Sequence, residues 1–229
     1  MNSFLKTRAG HLTERMDDPD CDRETLFNTY RQFTHINNQV SRWKTLFRDC
    51  IVPLSRGDRP LQILDIGCGG GDICLKFSKW AKQQQIPLEV TGIDPDPRAM
   101  DYLDRLPIPQ NVLFRQARSS DLMDEAGKYD VVISNHLVHH LQPENLLQVC
   151  KEAEILSKEL VLFNDIRRSV FGYTAFGLTA PILYRSSFIV RDGLTSIRRS
   201  FTYTELKEIA PAGWTVKKLF PYRLLLMYD

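Results

Sequence analysis

Apolar and polar positions along this chain switch between two periods, and the switches mark its elements. From Glu24 to Val52 the residues Leu26, Phe27, Tyr30, Phe33, Ile36, Val40, Trp43, Leu46 and Phe47 recur at three and four. That spacing predicts one long helix or two short ones with an apolar stripe. Pro53 stops the pattern, and SRGDRP at 55–60 reads as a surface connection. Gln62–Ile66 is a short apolar run, four of the next five residues are glycines (67, 69, 70 and 71), and from Asp72 to Ala81 the residues Ile73, Phe77 and Trp80 return at helical spacing. This reads as strand, glycine turn and helix, with Asp72 placed to cap the free N–H groups of the first turn. Glu89–Ile93 predicts a second strand ending in Asp94, Asn111–Gln116 a third and Tyr129–Ser134 a fourth, nearly all apolar like a strand covered on both faces. Pro143–Leu156 predicts a helix with Glu144 in its first turn, and Glu159–Phe163 a fifth strand ending in Asn164-Asp165. Such alternation implies an α/β fold, a doubly wound, mostly parallel sheet with helices on both faces.

The rhythm fails at the two ends. Residues 1–24 are polar, and MDDPD at 16–20 reads as a leader or early turn that buries too little to hold a helix alone. Arg167–Ser200 brings aromatic and small residues, among them Val170, Phe171, Tyr173, Phe176 and Tyr184, then the basic-polar run RDGLTSIRRS, which reads as an inserted cap. From Thr204 the segments TELKEIA, PAGW, TVKKLF and YRLLLMY predict a helix, a turn and two last strands. The expected organisation is a leader and helical lid over 1–58, a cofactor-binding core over 59–166, a substrate cap over 167–200 and a C-terminal helix with the final strand pair over 201–229.

Composition narrows the partners. The 229 residues are 43% apolar and 25% charged, the balance of a soluble globular protein, and 30 basic against 28 acidic residues leave a net charge of +2. No global field draws the chain to nucleic acid or an anionic membrane, so a small-molecule acceptor is expected. Nothing in the pattern fixes an oligomeric state. The five cysteines (21, 50, 68, 74 and 150) are odd in number and lack a paired ligand spacing, which points to reduced thiols in a cytosol and to no metal. No apolar run approaches the roughly 18 residues of a membrane span, and MNSFLKTRAGHLTER has no signal core, so a cytoplasmic protein with no integral membrane segment is expected.

The chemistry is concentrated in the glycine turn. Gly67, Gly69 and Gly70 let the backbone approach a nucleotide-like ligand, and Asp94, about 20 residues on, can accept both hydroxyl hydrogen bonds of a ribose. A dinucleotide fingerprint wants a third glycine where Asp72 stands.

From about Gln62 to Tyr228 the chain resembles the class I S-adenosylmethionine-dependent methyltransferases. Asp65-Ile66-Gly67-Cys68-Gly69-Gly70-Gly71 is similar to that family's DxGxGxG loop, Asp94 stands at its ribose acid, YDVVISNHLVHHL at 129–141 is similar to its fourth-strand segment, and TELKEIAPAGW resembles the helix and turn before its sixth strand. FTHINNQVSRWK at 33–44 resembles the segment ahead of that loop in quinone-biosynthesis methyltransferases. The resemblance implies a Rossmann-like sheet of seven strands with the last antiparallel. It also implies S-adenosyl-L-methionine as cofactor, held by Asp65, Gly67, Gly69, Gly70, Asp94, Pro95 and Asn135, and a phenol, quinol or polyketide-like acceptor. O-methylation comes first, then C-methylation of a quinol-like ring. A macromolecule methyltransferase is the rival, opposed by the near-neutral charge and by SNHL where NPPY would stand; a non-catalytic binding fold is another.

At the adenine-binding position the resemblance places Arg118, which has no acceptor for an amine, so backbone groups, Ser119 or Asp121 take that role or the register is shifted. His139 and His140 follow the fourth strand and are candidate bases for a phenol; adjacent residues point apart, so one of them at most faces the acceptor. Asp165 at the same sheet edge can orient an acceptor hydroxyl, while Arg167 and Arg191 can meet an acidic or phenolate group. Phe171 and Tyr173 can wall the acceptor pocket, and Tyr30 with Phe33 can close over the site as a lid.

Overall fold

The computed structural model describes residues 3–229. The lid stripe forms two helical pieces. Helix α1 (Arg23–Val40) starts at Asp22, whose carboxylate accepts from the Thr25 N–H at 2.8 Å. It stops at Ser41, and Arg42 takes a left-handed φ of 60° before α2 (Trp43–Leu46), which continues in irregular helical turns to Leu54.

The alternating core then runs β1 (Leu61–Ile66), α3 (Asp72–Gln83), β2 (Leu88–Asp94), α4 (Pro97–Leu103), β3 (Val112–Gln116), β4 (Tyr129–Asn135), α5 (Pro143–Leu156) and β5 (Ser157–Ile166). Helices α6 (Val170–Leu183) and α7 (Ile189–Arg199) make the cap, and α8 (Tyr203–Ile209), β6 (Thr215–Leu219) and β7 (Arg223–Tyr228) complete the chain. Sheet order is β3-β2-β1-β4-β5-β7-β6; β7 runs antiparallel to both β5 and β6, and the β1–β5 ladders are parallel. This is the seven-stranded Rossmann-like arrangement that the alternation and the resemblance imply.

Burial explains why the central strands read as continuous apolar runs. Along β1 and β4, Ile63, Val131 and Ile133 enter one core with Trp43, Phe47 and Phe77, while Leu64, Tyr129 and Val132 enter the other with Leu146, Phe163 and Leu226. Each fully buried aliphatic side chain contributes roughly 1.5–3 kcal/mol, so both faces have to be apolar. Helix α1 packs Leu26, Phe27 and Tyr30 onto Ala99, Tyr102 and Leu103 of α4.

Two expectations are corrected. Asp72 does not cap α3: the cap position is Gly71 in the left-handed region, and the Asp72 carboxylate turns to Lys76 Nζ at 2.6 Å and Asn37 Nδ2 at 3.2 Å, tying α3 to the lid. The polar N-terminal segment is no loose leader, because Leu5, Ala9 and Glu14 are buried. Arg8 donates to the carbonyls of His139 (3.0 Å) and Leu141 (2.7 Å), and Asp192 of α7 accepts from the N–H groups of Arg15 (2.8 Å) and Met16 (2.9 Å). The segment is a strap joining cap to core, held by polar contacts that hydropathy does not register. Among the described residues no helix is long and apolar enough to cross a membrane.

Candidate cofactor and acceptor site

A cavity of about 660 Å³ opens at the carboxyl edge of the sheet, the crevice where ligands of open α/β sheets bind, and its size is that of a small-molecule site. The glycine loop forms its floor, and α1, the strap and the cap close over it.

Gly67 and Gly69 adopt φ of +72° and +50°, a region that costs other residues energy. The loop is held from below: the N–H groups of Gly67 and Cys68 donate to the Ile93 carbonyl at 2.8 and 3.0 Å, and that of Gly69 to Asp94 Oδ2 at 2.9 Å. Asp94 Oδ1 accepts from the Asp96 N–H at 2.9 Å. Each oxygen keeps a free lone pair at the cavity wall, two acceptors for a vicinal diol. Gly70 serves the lid: a Cβ there would stand 2.7 Å from Tyr30 Cβ, so its bareness admits α1.

Asp65 lies under the loop, 2% exposed, with Oδ2 accepting from Cys74 Sγ at 3.3 Å and Oδ1 without a partner among the described residues. Burial pushes its carboxyl up to about 8. An orphaned buried carboxyl at a cavity wall suits a cationic ligand group, which would restore the charge and fill the open acceptor.

The β4 end carries a polar net. Arg223, at the start of β7 and 2% exposed, donates to Asn164 Oδ1 (2.9 Å), Asn135 Oδ1 (2.7 Å) and His136 Nε2 (3.1 Å), and Asn135 Nδ2 donates to Asn37 Oδ1 at 3.3 Å. Burial pushes the guanidinium down to about 10, still charged at neutral pH, and burial together with that charge drives the His136 imidazole well below its usual value.

Next to it stands a wall of acids and imidazoles. His139 is buried, with Nδ1 2.7 Å from Asp165 Oδ1 and Nε2 3.3 Å from Glu14 Oε1. Burial lowers its pKa, but the two carboxylates outweigh that and raise it to about 9. Against the opposing effect of burial, the His139 charge holds Asp165 well below the ordinary carboxylate range. His139 therefore carries a proton at neutral pH and is no free base. His140 is the more open imidazole, with Nδ1 3.3 Å from Asp17 Oδ2 and Nε2 3.8 Å from Glu14 Oε1.

Of the residues singled out in the sequence, Asp65, Gly67, Gly69, Gly70, Asp94, Pro95, Asn135, His139, His140, Tyr30 and Arg167 line this cavity. Asp165 stands behind His139, off the lining, and reaches the cavity only through that ring. Five others lie elsewhere. Arg118 is exposed, its N–H donating to Asp121, and Ser119 Oγ turns to Glu152 Oε2 at 2.5 Å on α5, so neither side chain lines the cavity. Phe171 is 77% exposed on the outer face of α6, Tyr173 packs edge-on against Phe4, and Arg191 lies on the outside of α7. Gly172, Ala175, Phe176 and Thr179 present the inner face of α6 instead. Glu14, Asp17, Asn37 and Arg223 escaped the sequence reading. Only Asn37 had a signal, inside the quinone-type segment at 33–44.

Residues 63–159 match the methyltransferase domain family. Over those residues the chain carries a methyltransferase domain. It is 27% identical over 128 residues to a ubiquinone biosynthesis O-methyltransferase of Shewanella halifaxensis, covering 54% of this chain and 51% of that one. With a second, from Mesorhizobium japonicum, it shares 31% over 91 residues, covering 38% and 34%. The chain spans about half the length of the first of these curated relatives. The plantazolicin methyltransferase BpumL in complex with a triazolic desmethylPZN analog and SAH superposes with TM-score 0.61 at 16% identity, covering 93% of this chain and 92% of that one. The magnesium protoporphyrin IX methyltransferase of Synechocystis gives 0.52 at 15%, with 93% and 90% covered. At these identities the two structures share the fold with the domain and nothing finer. The glycine loop, Asp65 and Asp94 form one side of the cavity, and the strap and cap form the other.

Proposed function

We propose that the chain methylates a small, largely apolar hydroxylated acceptor of phenol, quinol or polyketide type, on oxygen, with S-adenosylmethionine as donor. One observation carries this reading: a single cavity joins the loop–Asp94 cradle and the unpaired Asp65 to an apolar chamber under α1, α6 and α7 that ends on the acid–imidazole wall. The donor supplies an already activated methyl group on a cationic sulfur, so the protein has to position two reactants and exclude water. Asp94 offers two acceptors to the ribose hydroxyls, Asp65 faces the ammonium group, and Tyr30 and Phe33 close the lid over them. Phe176, Ile36 and Ile189 suit an apolar acceptor, and Arg167 stands at the same wall for an acidic substituent.

Glu14, Asp17 and His140 suit methylation on oxygen, because a hydroxyl sheds a proton as its oxygen takes the methyl group and this wall supplies places for it. The curated relatives' own names, ubiquinone biosynthesis O-methyltransferases, support the same acceptor class. The free cysteines suit a cytosolic enzyme. Calorimetry with S-adenosylmethionine, followed by a methyl-transfer assay over a panel of catechols and hydroquinones, tests the reading. Binding near one equivalent and transfer to a phenolic oxygen are expected; a folded protein that takes up no S-adenosylmethionine would end it.

A further inference from the structure

Cysteine spacing offers no reason to expect a metal, yet the fold assembles a ligand set that no spacing rule describes. Glu14 comes from the strap, His139 and His140 from the turn after β4, and their ligating atoms lie within 4.8 Å of one another. Glu14 Oε1 is 3.3 Å from His139 Nε2 and 3.8 Å from His140 Nε2. Ligands about 2 Å from a tetrahedral ion stand roughly 3.3 Å apart, so the first spacing matches and the second needs about half an ångström of closure.

The independent sign of a ligand is His139 Nε2. It is buried, and among the described residues its one polar neighbour, Glu14 Oε1 at 3.3 Å, is not aligned for a hydrogen bond, so a divalent ion would take the place of the proton this nitrogen holds at neutral pH. The opposite ring nitrogen is fixed: Asp165 Oδ1 accepts from Nδ1 at 2.7 Å while Oδ2 accepts from the His139 N–H at 2.8 Å. A carboxylate behind an imidazole that aims its other nitrogen outward is the outer-shell device that orients metal-binding histidines. The charges permit it. Glu14, Asp17 and Asp165 set three carboxylates around the imidazoles; Arg199, 3.5 Å from Glu14 Oε1 and 3.3 Å from Asp17 Oδ2, and Arg223 behind Asp165 offset part of that charge.

We infer that Glu14, His139 and His140 form a binding site for a divalent first-row transition metal, zinc being the test ion, with its open positions facing the acceptor side of the cavity. Two imidazoles and one carboxylate are a borderline donor set suited to such ions rather than to magnesium or calcium. The inference goes beyond the methyl-transfer reading and does not depend on it, because the site is tested with neither cofactor nor acceptor present.

The test uses the tag-free full chain, with zinc titrated in a calorimeter and cobalt(II) as a visible-absorption reporter. One equivalent of each ion should bind, with ligand-field bands of a nitrogen–oxygen site and no thiolate charge-transfer band, which separates this site from the five cysteines. Glu14→Gln and His140→Ala, both read beside a circular-dichroism melt, should keep the fold and lower zinc affinity at least tenfold. Asp165→Asn should lower it by about 10–100-fold through the ring it orients. Wild-type protein that binds no zinc, binds it with a thiolate signature, or binds it as tightly as folded Glu14→Gln and His140→Ala would overturn the inference.

Discussion

Replacing Asp65 by Asn keeps the side chain's shape and removes its ability to become an anion. In the wild type the carboxyl is raised to about 8 by burial, so at pH 7 it is roughly nine-tenths protonated, and ionising it against a cationic ligand costs about 1.4 kcal/mol per pH unit below that value. The charge-assisted hydrogen bond that the ionised carboxylate then accepts from an ammonium group is worth about 1.5–3 kcal/mol. At pH 6 the cost, about 2.7 kcal/mol, cancels that hydrogen bond, and wild type and variant should bind S-adenosylhomocysteine alike. At pH 7.5, where the ligand amine is still largely protonated, the cost falls to about 0.7 kcal/mol and the wild type should bind roughly four- to fiftyfold more tightly. Calorimetry in buffers of different ionisation enthalpy reads both the affinity and the released proton, which should vanish in the variant.

Stability provides a second readout that needs no ligand. The folded carboxyl has a raised pKa, so between about pH 4 and 8 the folded state binds the extra proton and wild-type stability falls as pH rises. The stability of Asp65→Asn should therefore rise relative to that of the wild type across that window in denaturant melts, by up to about 1.4 kcal/mol per pH unit. Equal pH dependence of binding in the two proteins, with no proton released, would refute the assignment of Asp65 as the cation's partner.

Two further substitutions probe the same cavity. Asp94→Ala should abolish measurable S-adenosylhomocysteine binding and also lower the melting temperature, since it orphans the Gly69 and Asp96 N–H groups at about 1–3 kcal/mol each; unchanged affinity would show that the ribose lies elsewhere. Arg223→Met should cost about 3–5 kcal/mol, because Asn135, Asn164 and Asp165 lose the cation they surround, and calorimetric melting should fall by roughly 6–20 °C; a shift under about 2 °C would show that the net is dispensable.

Local patterns settled the α/β core. Ile63 and Leu64 enter opposite cores from neighbouring positions, so β1 had to read as an unbroken apolar run, and the glycines announced the turn because three of them hold positive φ. Asp94 was legible because strand end and loop are close in sequence and in space. The errors share a cause. Arg118 and Ser119 follow from register with the family, but Ser119 is drawn to Glu152 on α5, a partner 33 positions away. Phe171 and Tyr173 belong to α6, apolar on its outer face as well as its inner one, so composition cannot say which side meets the cavity.

What the sequence by itself determined is the layer order, the seven strands and the glycine turn beside Asp94, all built from neighbours whose spacing follows the helix and strand periods. Only the tertiary structure decided the opposite wall of the cavity. Glu14 meets Ser196 across 182 positions and approaches His139 and His140 over more than a hundred, and Arg223 reaches back to Asn135 across 88. Such polar contacts are selected one pair at a time by charge and hydrogen-bonding geometry in a closed fold, and they leave no period for a sequence to show.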